Sequence, residues 1–448
     1  MKLIYKYINL PILITLFAGL SACNVLDVEP ADEISAEEAF KDKSDIEKGI
    51  IGSYSELQSL SYYGRSYLIF SDLAADNLDH PTDATSSDYA EIDNNVLLSN
   101  NSSIDGIWAS IYSAINVDNS IMDKIPGMKD MSDEEKAEAM GELCFLRALN
   151  HFNLMNYFGA IPVKTKPTIG IENLDAGRDD TSKVFAQIIS DLTYAESNLK
   201  ASASTKIRAT KYAATALLAR VYLYQKNYEL AYKKANEVIT SGGYTLLDNF
   251  GDVFADDGSA ETIFEVEFNE LDRNRIAEYN FPKSLNGRGE VKPNQGLIDS
   301  YEADDERKAA TIFSGSTGYA IKYDDLSKGA DNVIVLRLAE MYLIRAEAEA
   351  HLSNGVVANV QSTINTIRNR AGLSNTNAST MNDLLLVIEN ERRLEFAFEG
   401  HRWFDLVRTN RAMGVLPNVT KSSQQLFPIP LSELNTNKSP DMTQNPGY

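Results

Sequence analysis

The stretch ENERRLEFAFEGHRWFDLVR, residues 389–408, decides how the C-terminal part of this chain folds. It places acids, bases and one histidine among three phenylalanines and Trp403. Such a mixture suits either a catalytic pocket or a helix that is tied to its neighbours by ion pairs. The spacing of the residues separates these two interpretations.

The spacing favours the structural interpretation. Paired zinc-binding histidines stand four residues apart, whereas the one histidine of this stretch, His401, follows Gly400, where a helix would stop or bend. The stretch has no serine or cysteine that could act as a nucleophile. Charges three residues apart, such as Arg392 and Glu395, can tie a helix to its neighbours. We therefore predict an ion-paired structural motif of Arg392, Arg393, Glu395, Glu399, Arg402 and Trp403.

The N-terminus has the pattern of a lipoprotein signal. Lys2 and Lys6 precede an apolar run at residues 8–20, which is too short and too interrupted by proline for a trusted membrane span. Ser-Ala-Cys then ends at Cys23, in the form of a bacterial lipobox. The alternative is an ordinary signal with an accidental cysteine, but one of only two cysteines stands at the cleavage point. We predict a signal peptide at residues 1–22 and a lipid on Cys23 that anchors the mature chain.

The charge of the chain argues against nucleic acid as a partner. Residues 1–22 contain two lysines and no acid, so the mature chain carries 40 basic and 64 acidic residues, a net charge of −24. Phosphate binding needs basic patches, and no basic run is evident in the sequence. An acidic surface instead suits solubility outside a cell.

Hydrophobic periodicity indicates a mostly α protein with minor β-structure. One strand is predicted at residues 261–268, from the sequence ETIFEVEF. Predicted helices lie at about 36–60, 105–125, 132–158, 181–199, 209–226, 229–241, 333–353, 356–371 and 380–412.

A weak repeat is visible within these helices. Ala219 and Ala231 stand twelve residues apart beside Tyr222 and Tyr228, as in a tetratricopeptide helix pair. The same offset separates Ala346 from Ala358. Small residues at such positions let antiparallel helices approach closely. We expect a few irregular helix pairs.

Two long stretches, residues 62–104 and 248–332, show no long helical pattern and are rich in Asn, Asp, Gly and Tyr. Loops of this length inside a compact protein are usually functional or disordered, and tyrosines argue against disorder. We expect these two stretches to form a loop-rich ligand-binding face.

From Cys23 to Tyr448 the chain resembles the SusD/RagB family of surface nutrient-binding lipoproteins. The resemblance rests on CNVLDVEP, GELCFLRALNHFNLMNYFGAIPV, VLRLAEMYLIRAEAEA, ERRLEFAFEGHRWFDLVR, LFPIPLSEL and MTQNPGY, in this order. It implies an N-terminal half at residues 23–260 and a C-terminal half at 261–448, packed as one globular unit. In that family the charged block is scaffold. At 448 residues the chain is short for the family, so we expect trimmed ligand-binding loops.

The resemblance also implies a function. It implies a lipid-anchored protein on the surface of the outer membrane, which captures oligosaccharides and acts as a lid on a SusC-like TonB-dependent transporter. No catalysis, cofactor or metal is implied. A peptide ligand, as in the RagB branch, stays open.

Two further classes stay open on the residues alone: a secreted hydrolase on a helical scaffold, and a tetratricopeptide scaffold that binds only proteins. The hydrolase is disfavoured because the four histidines lack metal-ligand spacing and no Gly-x-Ser-x-Gly motif is present. These histidines are His80, His151, His351 and His401. The long loops disfavour the protein-binding scaffold.

Aromatic rings and polar side chains are the groups that hold a sugar. Trp108 lies on an apolar helix face and Trp403 belongs to the charged block, so we predict that both are core residues. Stacking then falls to tyrosines of the two irregular stretches. The candidate ligand-binding residues are Asp76, Asn77, His80 and Tyr89 from the first stretch and Arg273, Arg275 and Tyr279 from the second.

The lipobox generates a direct prediction. Cys23→Ala removes the acylated side chain, so the protein should leave the membrane fraction for the soluble fraction. Sedimentation of outer membranes measures this, and a mutant that still sediments with them would show another anchor.

Overall fold

The computed structural model describes residues 40–170, 174–315 and 318–448. Cys23 and the predicted signal at residues 1–22 lie outside these ranges. The chain is mostly helical, as predicted, with three two-stranded sheets in the described part. Among the helices in these ranges, none is long and apolar enough to cross a membrane.

The helices follow one another through both halves of the chain. They are α1 (Lys43–Glu56), α2 (Ser66–Leu73), α3 (Ser87–Asp93), α4 (Ser102–Lys124), α5 (Asp133–Phe158), α6 (Thr181–Asn198), α7 (Lys211–Tyr224), α8 (Tyr228–Ser241), α9 (Asp252–Ala255), α10 (Ile276–Asn280), α11 (Gln295–Ser300), α12 (Arg307–Thr311), α13 (Leu338–His351), α14 (Val357–Arg370), α15 (Met381–Glu395), α16 (Arg402–Arg408), α17 (Ala412–Val415) and α18 (Leu431–Thr436).

Each strand pairs antiparallel with one other strand: β1 with β3, β2 with β6 and β4 with β5. The strands are β1 (Leu78–Asp79), β2 (Thr262–Val266), β3 (Lys292–Pro293), β4 (Ile312–Phe313), β5 (Tyr319–Ala320) and β6 (Val333–Arg337). The predicted strand at 261–268 is therefore confirmed as β2.

Local sequence signals explain where the helices begin and end. The long helix α5 starts at a capping box, in which Ser132 and Glu135 each accept a backbone N–H of the other. Three acidic residues in its first turn interact favourably with the positive end of the helix dipole. The helix ends at Gly159, whose φ of 72° is a conformation that glycine adopts without strain.

Two predicted helices are wrong in part. Residues 333–337 form strand β6, because VIVLR is rich in β-branched residues and pairs with β2. The predicted helix at 380–412 is broken into three shorter helices, α15, α16 and α17. The first break follows Glu395 and lies inside the charged block.

The helix pairs stack on one another. The α7–α8 pair packs against the α13–α14 pair through α8 and α13. Ala219, Ala231 and Ala346 are fully buried, as the repeat predicts. Ala358 is exposed, so that part of the prediction is wrong. Helix α14 turns a different face inward, the one that carries Val360, Thr363, Ile364 and Ile367.

The charged block bends sharply between α15 and α16. Phe398 and Gly400 have φ values of 69° and 85°, which lie in the left-handed region. Their backbone N–H groups donate to the buried carboxylate of Asp72, each at 3.3 Å. The bend is therefore held from α2, across a long separation in sequence.

A network of buried ion pairs surrounds the bend. The Arg337 guanidinium donates to Glu261 at 2.8 Å, to Glu395 at 2.6 Å and to Glu399 at 2.7 Å. Arg370 also binds Glu261 and Glu395. The network therefore joins the residue before β2 to β6, α14, α15 and the bend.

The network keeps its carboxylates ionised. Burial alone would raise the pKa of Glu395, but three neighbouring guanidinium groups outweigh it and hold the pKa well below its usual range. The pKa of Glu399 is likewise lowered, against its burial, by Arg337 and Lys322. Glu395 and Glu399 are buried within these ion pairs, and Trp403 and Trp108 are buried in the core.

Arg337→Ala should leave three buried carboxylates short of a partner. The expected loss is about 3 to 5 kcal/mol in the free energy of unfolding, measured by denaturant titration. Arg411→Ala is the control, because Arg411 is 44% exposed and pairs with Glu389 at the surface. The free energy of unfolding should fall by less than about 1 kcal/mol in this control variant. Equal losses in the two variants would contradict the importance of the buried network.

Candidate ligand-binding site

The two irregular stretches meet in the folded chain. Strand β1 of the first pairs with β3 of the second, so that Leu78 lies opposite Pro293 and Asp79 opposite Lys292. The Asn294 side chain also donates to the Asp79 carboxylate at 2.6 Å. The pairing places segments more than 200 residues apart in one wall.

A buried glutamate fastens this wall. Glu290 is 1% exposed, and its carboxylate accepts the backbone N–H groups of Thr85 and Ser86 at 3.1 Å and the Thr85 hydroxyl at 2.8 Å. A ring nitrogen of His80 lies 2.8 Å from the Glu290 carbonyl oxygen. Because buried polar groups are costly to leave unpaired, these bonds hold residues 80–86 against the second stretch.

A cavity of about 800 Å³ lies between the two stretches. Its volume is in the range of small-molecule binding sites. One side is formed by residues 79–83, and the other by residues of the second stretch. The polar side chains in its lining are Asp79, His80, Thr82, Asp83, Asn280, Lys283, Ser284, Lys292 and Gln295.

Three aromatic rings form a row beside the cavity. Tyr319 lines it, and its ring stacks on Phe313 with centroids 4.8 Å apart and 22° between the planes. The Tyr319 ring also contacts the Phe281 ring, with centroids 4.5 Å apart. Phe313 is 48% exposed, so this ring is available to a ligand. We call Phe281, Phe313 and Tyr319 the aromatic row.

Of the candidates in the first stretch, the structure brings His80 into the cavity lining. Asp76 and Asn77 instead belong to the scaffold. The Asp76 carboxylate accepts from Arg402 at 2.6 Å, and buried Asn77 accepts from Arg393 at 3.1 Å. Burial would raise the pKa of Asp76, but the hydrogen bond and charge of Arg402 lower it. The expectation that Asp76 and Asn77 contact a ligand is thus not supported by their geometry.

The two candidate tyrosines pack against each other. Tyr89 is 2% exposed and lies between Phe70 and Tyr279, with ring centroids 4.9 Å and 5.6 Å away. Tyr279 is 8% exposed, and its hydroxyl accepts from Arg65 at 2.7 Å. The prediction that these rings stack on a sugar does not fit their burial.

The two candidate arginines lie beyond the cavity lining. Arg275 donates to Glu278 at 2.6 Å, and its guanidinium lies 5.8 Å from the centre of the Tyr279 ring. Arg273 is exposed and donates to the Leu326 carbonyl at 3.3 Å. Arg275 therefore lies beside Tyr279, outside the cavity lining, and Arg273 lies two residues before it along the chain.

The aromatic row was missed by the sequence interpretation. Phe313 and Tyr319 flank the segment SGSTG, a small-residue turn signal between two short apolar pieces. A hairpin at this point would have placed the two rings on one side of the turn. Each strand has only two residues, however, which is too short for a period-2 pattern to be recognised.

A second cavity, of about 410 Å³, lies between α4 and α18 and is lined by Trp108, Tyr112 and Glu433. Trp108 is 4% exposed and donates to Glu433 at 3.2 Å, so its ring belongs to the core. The larger cavity lies between both irregular stretches, and the exposed Phe313 stacks on its lining residue Tyr319. It is therefore the better candidate for a ligand site.

Comparisons with known proteins cover both halves of the chain. A model of the SusD family matches residues 318–448. A second model, described as starch-binding associating with outer membrane, matches residues 24–223. The chain belongs to the SusD/RagB family.

Relatives of this SusD/RagB chain match it along most of their length. SusD-like protein P25 of Formosa agariphila is 26% identical over 524 residues, with 97% of this chain and 98% of that protein covered. That alignment is longer than this chain of 448 residues, so P25 contains residues with no counterpart here. This agrees with the expectation that the chain is short for its family.

Solved structures of the family share the fold. A SusD superfamily protein from Bacteroides vulgatus superimposes with a TM-score of 0.83 at 24% identity, covering 91% of this chain and 99% of that one. A laminarin-binding SusD-like protein superimposes with a TM-score of 0.81 at 27% identity, covering 91% and 100%. The arrangement of helix pairs is therefore that of the SusD fold.

Proposed function

We propose that this protein binds a glycan in the cavity between the two irregular stretches and releases it unchanged. The observation that carries this proposal is the aromatic row beside a cavity lined by polar side chains. The exposed ring of Phe313, with the buried ring of Tyr319 stacked against it, would face the apolar C–H side of a sugar ring, and the polar lining would bind its hydroxyl groups.

The polar lining suits hydroxyl recognition. Thr82, Asp83, Lys283 and Gln295 are exposed or half-buried at the cavity, and together they include both donors and acceptors. Lys283 and Asp83 lie 3.6 Å apart on opposite sides of the cavity. A sugar hydroxyl, which donates and accepts, can bond to either type of group.

The relatives support a glycan ligand over a peptide. One solved relative binds laminarin, and one matching family model is described as starch-binding. A binding role without catalysis also fits the charged block. Its acids and bases are occupied by one another in buried ion pairs, so they would not be free for proton transfer to a substrate.

Phe313→Ala should weaken glycan binding by about tenfold, because it removes the exposed ring of the aromatic row. Calorimetry with laminarihexaose and maltohexaose measures the effect. Tyr194→Ala is the matched control, since Tyr194 is 39% exposed on the distant helix α6. Equal binding by wild type and Phe313→Ala would contradict the site. Release of shorter sugars would instead indicate a hydrolase, and binding of peptides alone would indicate the RagB-like alternative.

We further propose that the lipid on Cys23 anchors the protein in the outer membrane, where it delivers glycans to a SusC-like TonB-dependent transporter. Gentle detergent extraction of cells that express both should copurify the transporter with the lipoprotein. The interface should be large, above about 2,000 Å², as in permanent complexes. A monomeric lipoprotein in extracts that contain the transporter would contradict this partnership.

A further inference from the structure

Three arginines gather around the buried ring of Tyr279, and a fourth lies close to them in the sequence. The guanidinium carbon lies 4.5 Å from the ring centre for Arg65, 5.0 Å for Arg288 and 5.8 Å for Arg275. Arg273 is the fourth, two residues before Arg275 along the chain. We call Arg65, Arg273, Arg275 and Arg288 the arginine patch.

Three of these arginines influence one carboxylate, that of Glu278. The pKa of Glu278 is lowered, chiefly by its hydrogen bond from Arg275 and, against its partial burial, by the surrounding arginine charges. Those charges come from Arg275, Arg288 and Arg273, in this order. Arg273 is thus electrostatically part of the patch.

Two of the arginines are held by the protein itself. Arg65 donates to the Tyr279 hydroxyl at 2.7 Å and to the Ser66 hydroxyl at 3.2 Å. Arg275 forms an ion pair with Glu278. Both side chains are therefore fixed in place, and Arg65 has no carboxylate among its hydrogen-bond acceptors in the described part of the chain.

The other two arginines keep most of their donors for solvent or a ligand. Arg288 is 44% exposed, and its ionic partner in the described ranges is Glu290, at 3.5 Å. Glu290 already accepts three hydrogen bonds from Thr85 and Ser86, so it is shared. Exposed Arg273 donates to one backbone carbonyl. Within the described residues, ion pairs thus link only two of the four guanidinium groups to carboxylates, Arg275 to Glu278 and Arg288 to Glu290.

Such a local surplus of positive charge is unusual in this chain. The sequence has 64 acidic and 42 basic residues, so a cationic surface runs against its overall charge. Like charges held close together repel, and the repulsion is relieved when an anion binds between them. Guanidinium groups bind carboxylate and sulfate-type oxyanions with two parallel hydrogen bonds.

The patch adjoins the cavity through the backbone. Arg288 precedes Gly289, which lines the cavity. Thr85 and Ser86, which donate to Glu290, lie shortly after residues 79–83 of the opposite side. Tyr279 is followed by Asn280, another lining residue. A chain of several sugars that begins in the cavity can therefore extend over the patch.

We propose that the arginine patch is a subsite for the oxyanion of a charged glycan, carried as a sulfate ester or a uronate carboxylate. This rests on the proposed glycan-binding function and specifies its substrate class. The aromatic row holds a sugar ring, and the patch selects for negative charge a few residues along the same oligosaccharide. Arg288 and Arg273 contact the oxyanion. Arg65 and Arg275 add positive electrostatic potential at the subsite and hold Tyr279 in place.

The test compares three hexasaccharide probes by calorimetry: neutral laminarihexaose, a galacturonate hexamer and a sulfated carrageenan hexamer. Wild type should bind at least one charged probe about tenfold more tightly than the neutral one. Raising the salt from about 0.05 to about 0.5 M should weaken charged but not neutral binding. The charged probe that binds more tightly shows whether the subsite prefers a carboxylate or a sulfate.

Arg288→Gln and Arg273→Gln should each reduce the charged-probe affinity by about fivefold to tenfold and leave laminarihexaose binding unchanged. Arg411→Gln is the matched control, since Arg411 is also 44% exposed and paired with one glutamate. Its affinities should equal those of wild type.

Two outcomes overturn the inference in distinguishable ways. If the probes bind with a dependence on Phe313 but with no preference for charge and no effect of Arg288→Gln, the charged subsite is wrong and the glycan site stands. If none of the three probes binds to wild type, the glycan-binding function fails and the subsite fails with it.

Discussion

The buried ion pairs of Arg337 with Glu261, Glu395 and Glu399 are the constraint on which the rest of the structure depends. Removing charges from water is costly, and an apolar core of similar size is often as stable. What the ion pairs supply is geometry, because a guanidinium group binds its carboxylates at fixed angles. They join strand, helix and bend at one point, and the left-handed residue Phe398 can persist only where its surroundings fix it.

The same block reaches as far as the ligand face. Asp72 holds the bend through two backbone N–H groups, while Arg393 and Arg402 bind Asp76 and its neighbour Asn77. Directly after these residues β1 begins, which pairs with β3 and forms the wall of the cavity. The charged block is thus scaffold in a specific sense: it positions the strand that brings the two irregular stretches together.

Most of the helices and the scaffold role of the charged block could be predicted, because both depend on patterns along the chain. The error at β6 arose because a short apolar run fits a helix and a strand equally well. The candidate site was predicted less well. Asp76, Tyr89 and Tyr279 lie in the expected region, yet partners distant in sequence cover or bind them. Phe313 and Tyr319 become neighbours only through β4–β5 pairing.

Hydrogen exchange with and without bound laminarihexaose tests most directly whether the face supported by this scaffold is the glycan site. Backbone amides at residues 79–83 and 280–295 should exchange more slowly in the complex, because the ligand joins the two sides of the cavity. Helices α6 and α14 should exchange at unchanged rates. Slower exchange in α4 and α18, around the smaller cavity, with no change at residues 79–83, would contradict this assignment.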